Sequence, residues 1–208
     1  MPPRVLITGV NGFSGRELAM QLYGSADAHL IGSDIAPESR AAVAEYAACD
    51  LTDRSAAEKL IAAAHPDLVH HLAGVNNFEP PDVIERVNVG GFMNLCHALR
   101  HARRPVRMLT VGSAAELGRR GVARLPVTEG VPCHPESPYG KSKSQVTQMA
   151  LAEPAGSPLA IIVARPFNLI APAWMRCTAR SVELCAAIGA DRPRSHQCAA
   201  MRGPRHPA

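Results

Sequence analysis

The sequence predicts an α/β protein built on a doubly wound parallel sheet, and three observations carry that expectation. Between Arg4 and Pro172, short apolar runs of strand length alternate with longer stretches of helical periodicity. Six such runs are evenly spaced, which suits a parallel sheet whose crossover helices cover both faces. A glycine-rich turn separates the first run from the first helix, where βαβ units bind ligands. With 208 residues, 47% of them hydrophobic and 19% charged, the chain is long enough to bury one sizeable core.

Each element follows in order. The first strand reads as Arg4–Thr8 and the first helix as Phe13–Tyr23, with Leu18 and Leu22 four apart on one face. A second strand covers residues 28–33 and closes on Asp34, and a short third lies near 47–49. Thr52 or Asp53 caps a helix through 56–61, since either side chain accepts from the free amides of a first turn. Pro66-Asp67 turns the chain into a strand at 68–73. A long helix over 88–99, a strand at Val106–Val111, a helix over 138–152 and a strand at Leu159–Ala164 complete the pattern.

The excess charge sits at one end. Residues 1–172 carry 16 Lys and Arg against 16 Asp and Glu, whereas residues 173–208 carry 6 Arg and 2 acids. A neutral body whose basic residues form no stripe interleaved with aromatics does not read as a nucleic-acid or membrane surface. No apolar run approaches the roughly 20 residues that a membrane span needs, and no signal-peptide pattern opens the sequence. The six cysteines form no C-x-x-C pair, which fits reduced thiols, so a cytoplasmic location is expected. The alternation stops after Pro172. Residues 173–208 hold three of the cysteines and no Lys, with one helix-like stretch at 181–188. They read as an atypical tail, frame-shifted or disordered, after a domain over residues 1–172.

Thr8-Gly9-Val10-Asn11-Gly12-Phe13-Ser14-Gly15 lies between the first strand and the first helix. There Gly9 permits the tight turn, Gly12 lets the backbone approach a pyrophosphate, and Gly15 lets helix and strand pack closely. Asp34, 19 residues after Gly15, ends the second strand. A carboxylate in that position accepts hydrogen bonds from an adenosine ribose and repels a 2′-phosphate, so the expected cofactor is NAD rather than NADP. Its competing role is a cap for residues 37–38. Asp50, after the third strand, is a second candidate contact at the adenine edge.

Tyr139 and Lys143 stand four apart on a helix and so share a face. A phenol is a poor acid-base group at its ordinary pKa near 10, but an ammonium one turn away favours the phenolate. Ser113, just after the fifth strand, lies at the carboxyl edge of the sheet, where its hydroxyl would bond the substrate oxygen that Tyr139 protonates. Ser113, Tyr139 and Lys143 are the expected catalytic triad.

Thr8-Gly9-x-x-Gly12-Phe13-x-Gly15, Asp50-Leu51, His71-Leu72-Ala73-Gly74, Asn88-x-x-Gly91-x-x-Asn94-Leu95, Ser113, Tyr139-x-x-x-Lys143 and Arg165-Pro166-Phe167-Asn168 occur in this order. On these motifs, residues 4–172 resemble the extended short-chain dehydrogenase/reductases of the NAD-dependent epimerase/dehydratase family. The resemblance implies a Rossmann fold over residues 1–172, hydride exchange with the carbon of a nucleotide sugar, and a homodimer. It implies cofactor contacts from Gly9, Gly12, Phe13, Gly15, Asp34, Asp50, Leu51, Leu72, Ala73, Gly74, Asn88, Tyr139 and Lys143, and substrate contacts from Ser113 and Asn168. Dehydratases of the family carry an acid two residues after the catalytic hydroxyl, where this chain has Ala115. The run from Val111 to Gly118, with Glu116 one position later, is similar to the GDP-4-keto-6-deoxy-mannose reductase branch, which implies reduction of a 4-keto-6-deoxy nucleotide sugar.

Other groups read as structural. His70-His71 lacks a third metal ligand, and adjacent strand residues point to opposite faces, so no metal is expected. Cys96, Met149 and Leu151 read as core. Two further classes of function stay open. One is a dinucleotide sensor, against which the intact Ser, Tyr and Lys argue; the other is a shortened chain that binds the dinucleotide with weak catalysis or none.

Overall fold

A computed structural model of the chain describes residues 1–23, 28–121 and 126–169. Six strands form one all-parallel sheet: β1 (Arg4–Thr8), β2 (His29–Asp34), β3 (Glu45–Ala48), β4 (Leu68–His71), β5 (Val106–Val111) and β6 (Leu159–Ala164). Their order is β3-β2-β1-β4-β5-β6. The chain winds outward from β1 on one side, then returns and winds outward from β4 on the other, which is a Rossmann fold. Val5 of β1 is paired with Leu30 on one flank and Leu68 on the other. The loops leaving β1 and β4 therefore diverge at the carboxyl edge and open a crevice between them.

Helices α1 (Phe13–Tyr23), α2 (Arg54–Ala64), α3 (Pro81–Ile84), α4 (Gly91–His101), α5 (Gly118–Gly121) and α6 (Pro138–Leu151) connect the strands. Strand alternation sorts β1 between two apolar layers. Leu6 faces the layer built with Val69 and Met108 of neighbouring strands and with Leu60, Leu95 and Val146 of α2, α4 and α6. Val5 and Ile7 face the opposite layer, where Ala19 and Leu18 of α1 meet them. Leu6, Leu95 and Leu99 are wholly buried, and each such side chain contributes about 1.5–3 kcal/mol.

Strands β2 and β3 are shifted by one or two residues from the expected 28–33 and 47–49, to His29–Asp34 and Glu45–Ala48, and three further details differ from the sequence reading. The helix expected over 88–99 begins earlier, because α3 continues through a π-helical turn at Glu85–Gly90 into α4. Strand β4 ends at His71, and residues 72–74 peel away to line the crevice. Leu151, read as core, is 73% exposed, since it is the last residue of α6. Of the two candidate caps for α2, Asp53 is the one used: its carboxylate accepts from Ser55 and Ala56 amides at 2.8 and 3.3 Å. Expectations for residues 173–208, including the stretch at 181–188, lie outside the described residues.

Gly15 lies where α1 crosses the glycine turn. A Cβ there would come within 2.2 Å of the Gly9 carbonyl oxygen and 2.6 Å of Val10 Cα. Both are backbone atoms that cannot rotate away. Gly15→Ala is expected to cost at least about 2 kcal/mol of stability as an overpacked contact. At Gly90, nothing lies within 4 Å of an added Cβ, and Gly90→Ala should gain about 0.5–1 kcal/mol from reduced chain entropy. Urea midpoints of the two variants should move in opposite directions.

Candidate active site

The crevice at the β1–β4 divergence is a cavity of about 510 Å³. Gly9 and Gly12 form one wall, Asp34 and Asp50 the end beyond β2 and β3, and Leu72, Ala73 and Gly74 the side toward β4. Leu51 also lines it, so eight of the expected cofactor contacts meet on one surface. Phe13 and Gly15 sit at the start of α1 behind the turn. Gly9 has φ +70°, and a Cβ on it would stand 2.6 Å from the backbone of Ala73. A side chain at this position would fill the gap between the turn and β4.

Three asparagines hold the loops that shape this cavity. Asn11 spans from the glycine turn to the loop after β2: its amide donates to Asp34 Oδ2 at 3.0 Å, its side chain donates to the Glu38 carbonyl at 2.9 Å, and its Oδ1 accepts from the Arg40 amide. Asn94 donates to the carbonyls of Leu51 and Thr52 at 2.9 and 3.1 Å. Asn88 accepts from the Val75 amide at 2.8 Å and donates to the Val75 carbonyl and Ser142 Oγ, both at 3.1 Å. Asn88, expected to touch cofactor, thus spends its carboxamide on the loop after β4. The π-helical turn carries it there; such wide turns recur at functional sites. Sequence reading missed Asn11, and it missed Val83, Arg86 and Val87, which also line the cavity. Their i, i+3, i+4 spacing in the stretch that runs directly into Asn88 was the available signal.

Ser113, Tyr139 and Lys143 come together beside this cavity. Ser113 caps a 3₁₀ turn at Ala114–Glu116, its Oγ accepting from the Ala115 amide at 3.1 Å. Its hydroxyl hydrogen remains free to donate. Tyr139 and Lys143 stand one turn apart on α6, with Nζ 5.9 Å from the phenol ring centre. Lys143 Nζ donates to the Val111 carbonyl at 3.0 Å, and a Cβ on Gly74 would lie 3.7 Å from it, so the ammonium sits where cavity and triad adjoin. Burial raises the Tyr139 pKa, the Ser113 hydroxyl beside it acts the other way, and the Glu116 carboxylate raises it further. Burial thus outweighs the lowering expected from Lys143, and the Ser113 hydroxyl is the hydrogen-bond donor that favours the phenolate. Burial also lowers the Lys143 pKa, against the pull of Glu116.

Asn168 is exposed, just beyond β6. Its segment is tied to the Ser113 turn by the Ala114 amide, which donates to the Pro166 carbonyl at 3.0 Å. His71, the buried member of the His70-His71 pair, places Nδ1 2.9 Å from Thr8 Oγ1 and its ring against Phe92. Among the described residues, no group of three or more His, Cys, Asp or Glu gathers as metal ligands, and no helix is long and apolar enough to cross a membrane. Cys96 is buried with its thiol pushed up to about 12.

The pattern that defines the NAD dependent epimerase/dehydratase family matches residues 5–187, and the chain belongs to that family. It is 30% identical over 176 residues to the GDP-6-deoxy-D-mannose reductase of Pseudomonas aeruginosa, across 83% of this chain and 54% of that protein. It is 29% identical over 178 residues to the UDP-glucose 4-epimerase of Streptomyces lividans, across 81% of this chain and 53% of that protein. Among solved structures, the UDP-glucose 4-epimerase from Brucella ovis in complex with NAD is similar with a TM-score of 0.71 and 26% identity, covering 79% of this chain and 51% of that one. The chain spans about half the length of these relatives.

Burial holds His71 neutral, with its pKa lowered to about 3. The unfolded chain takes up this proton near pH 6.5 and the folded chain does not, so stability falls as pH drops below about 6.5. Between pH 7.5 and 5, the wild-type chain should lose about 2 kcal/mol more than His71→Gln, which keeps a partner for Thr8 but does not titrate. Urea unfolding at the two pH values measures the difference.

Proposed function

We propose that the chain binds NAD in the β1–β4 cavity and contributes to the reduction of a 4-keto-6-deoxy nucleotide sugar by hydride transfer. The observation that carries this reading is the meeting of the cavity with Ser113, Tyr139 and Lys143 at Gly74. The residues present fit the cofactor: Gly9 leaves backbone room for a pyrophosphate, and α1 starts directly behind the turn. Asp34 has lone pairs beyond the two amides of Asn11 and Ala36 that it already accepts, and these suit ribose hydroxyls.

Bound NADH supplies the hydride. Tyr139 gives its phenolic proton to the carbonyl oxygen as that oxygen gains charge, and a raised pKa keeps the proton in place until then. Ser113 donates a hydrogen bond, first steadying the oxygen and then stabilising the phenolate. Lys143 holds its ammonium beside the ring, with donors left over from Val111 for ribose hydroxyls. Asn168 contacts the substrate near its phosphates. Glu116 takes no part as a dehydrating acid, because its carboxylate is occupied on the far side of the turn by Thr147 and Arg165. The Pseudomonas reductase supports reduction; the Streptomyces and Brucella epimerases support a second reading, inversion at a sugar C4 by the same groups. The site forms part of a cytoplasmic homodimer in either reading.

Calorimetric titration of the chain should show tighter binding of NADH than of NADPH, and equal affinities would remove Asp34 from the site. Where NADH oxidation on a keto nucleotide sugar is measurable, Tyr139→Phe should abolish it with NADH affinity nearly unchanged, whereas Lys143→Ala should weaken both. Interconversion of UDP-sugars without net NADH consumption would favour the epimerase reading instead.

A further inference from the structure

Glu116 is fully buried, with 0% of its surface exposed. Its Oε1 accepts from the Ser113 amide at 2.7 Å and the Thr147 hydroxyl at 3.1 Å, and its Oε2 accepts from Arg165 Nε at 3.0 Å. These three donors come from three places: the turn after β5, the body of α6, and the segment leaving β6. A Cβ on Gly112 would lie 2.3 Å from Oε1, so the carboxylate fills the space beside the residue that precedes Ser113. Glu116 does not line the cofactor cavity, and no proton passes to or from it in the proposed transfer.

We propose that Glu116 is a positioning residue: braced by Arg165 and Thr147, its carboxylate holds the Ser113 amide and thereby aims the Ser113 hydroxyl at the Tyr139 phenol. The inference rests on the reading of Ser113 and Tyr139 given above. Its chemistry calls for a carboxylate. Donors converge on both oxygens, and a Gln in the same place would turn an NH₂ group toward one set of them. The ion pair also joins the Ser113 turn to the segment that carries Asn168.

The test uses the full chain with difluorotyrosine in place of tyrosine, whose phenol titrates closer to neutrality. Fluorine NMR reads the three tyrosines separately, and Tyr139→Phe assigns the resonance. In the wild-type background, Ser113→Ala should move the Tyr139 midpoint upward, because the hydroxyl that lowers it is gone. In Glu116→Met, which leaves the Ser113 amide without its acceptor, the same Ser113→Ala change should move it little, because the hydroxyl is no longer held in place. An equal shift in both backgrounds would overturn the proposal, since loss of charge alone leaves the Ser113 contribution intact. If Glu116→Met, which leaves Arg165 unpaired, does not fold, Glu116→Met/Arg165→Met replaces the buried pair with apolar side chains of similar volume and serves as the background, with the same two outcomes. Where turnover is measurable, Glu116→Met should lower kcat about 10-fold to 100-fold with the KM for NADH changed less than about twofold, as a misplaced catalytic group does. Because the titration needs no substrate, an inactive wild-type chain would count against the proposed function and leave this inference standing.

Discussion

The turn after β1 approaches the end of β4 so closely that a Cβ on Gly9 would stand 2.6 Å from the backbone of Ala73. That contact sets the geometry around it. Strand β1 is already fixed between β2 and β4, so the turn has no lateral freedom, and α1 must leave over Gly15 at a distance only a bare backbone allows. The cavity is what remains between these surfaces and the loops after β2, β3 and β4. Its shape is therefore a property of backbone packing. Asn11, Asn88 and Asn94 then fix the loops, each by side-chain bonds to main-chain groups.

The other half of the site is built differently. Ser113, Tyr139 and Lys143 are side chains on a turn and a helix, and their mutual placement depends on polar groups buried behind them. Glu116 with Arg165, and Lys143 with the Val111 carbonyl, are bonds made under low exposure, where an unpaired partner costs more than the bond itself contributes. The same burial that makes these contacts specific moves the titrating groups: Tyr139 upward and Lys143 downward, both away from mutual charge stabilisation.

Strand positions and the β1–α1 corner were legible in the sequence because apolar runs and glycine spacing report them directly. Strands β1, β5 and β6 and helix α1 fall at the expected bounds. Most of the expected cofactor residues do line one cavity, since motif residues at strand ends are brought to the same sheet edge by topology alone. The π-helical turn was not legible. Nothing in the local pattern of residues 85–90 marks a wider turn, and the bonds that Asn88 makes from it to Val75 and Ser142 are tertiary. The sign of the Tyr139 shift was also out of reach, because i, i+4 spacing places Lys143 near the phenol but carries no information on burial or on the carboxylate of Glu116.

Glu116 shows how one residue answers to both kinds of information. In the sequence it is an acid beside a catalytic motif, one position from where a dehydrating acid would stand, and that proximity invites a chemical role. In the fold, a single step along the 3₁₀ turn points its side chain inward, and three donors from three elements take up its oxygens. A carboxylate so occupied has no lone pair directed at a substrate and no route for a proton. Its influence on the chemistry passes instead through the amide of Ser113 and through its field at Tyr139 and Lys143. Position in the chain brought the acid to the site; the bonds it makes there decide that it positions the reacting groups and is not one of them.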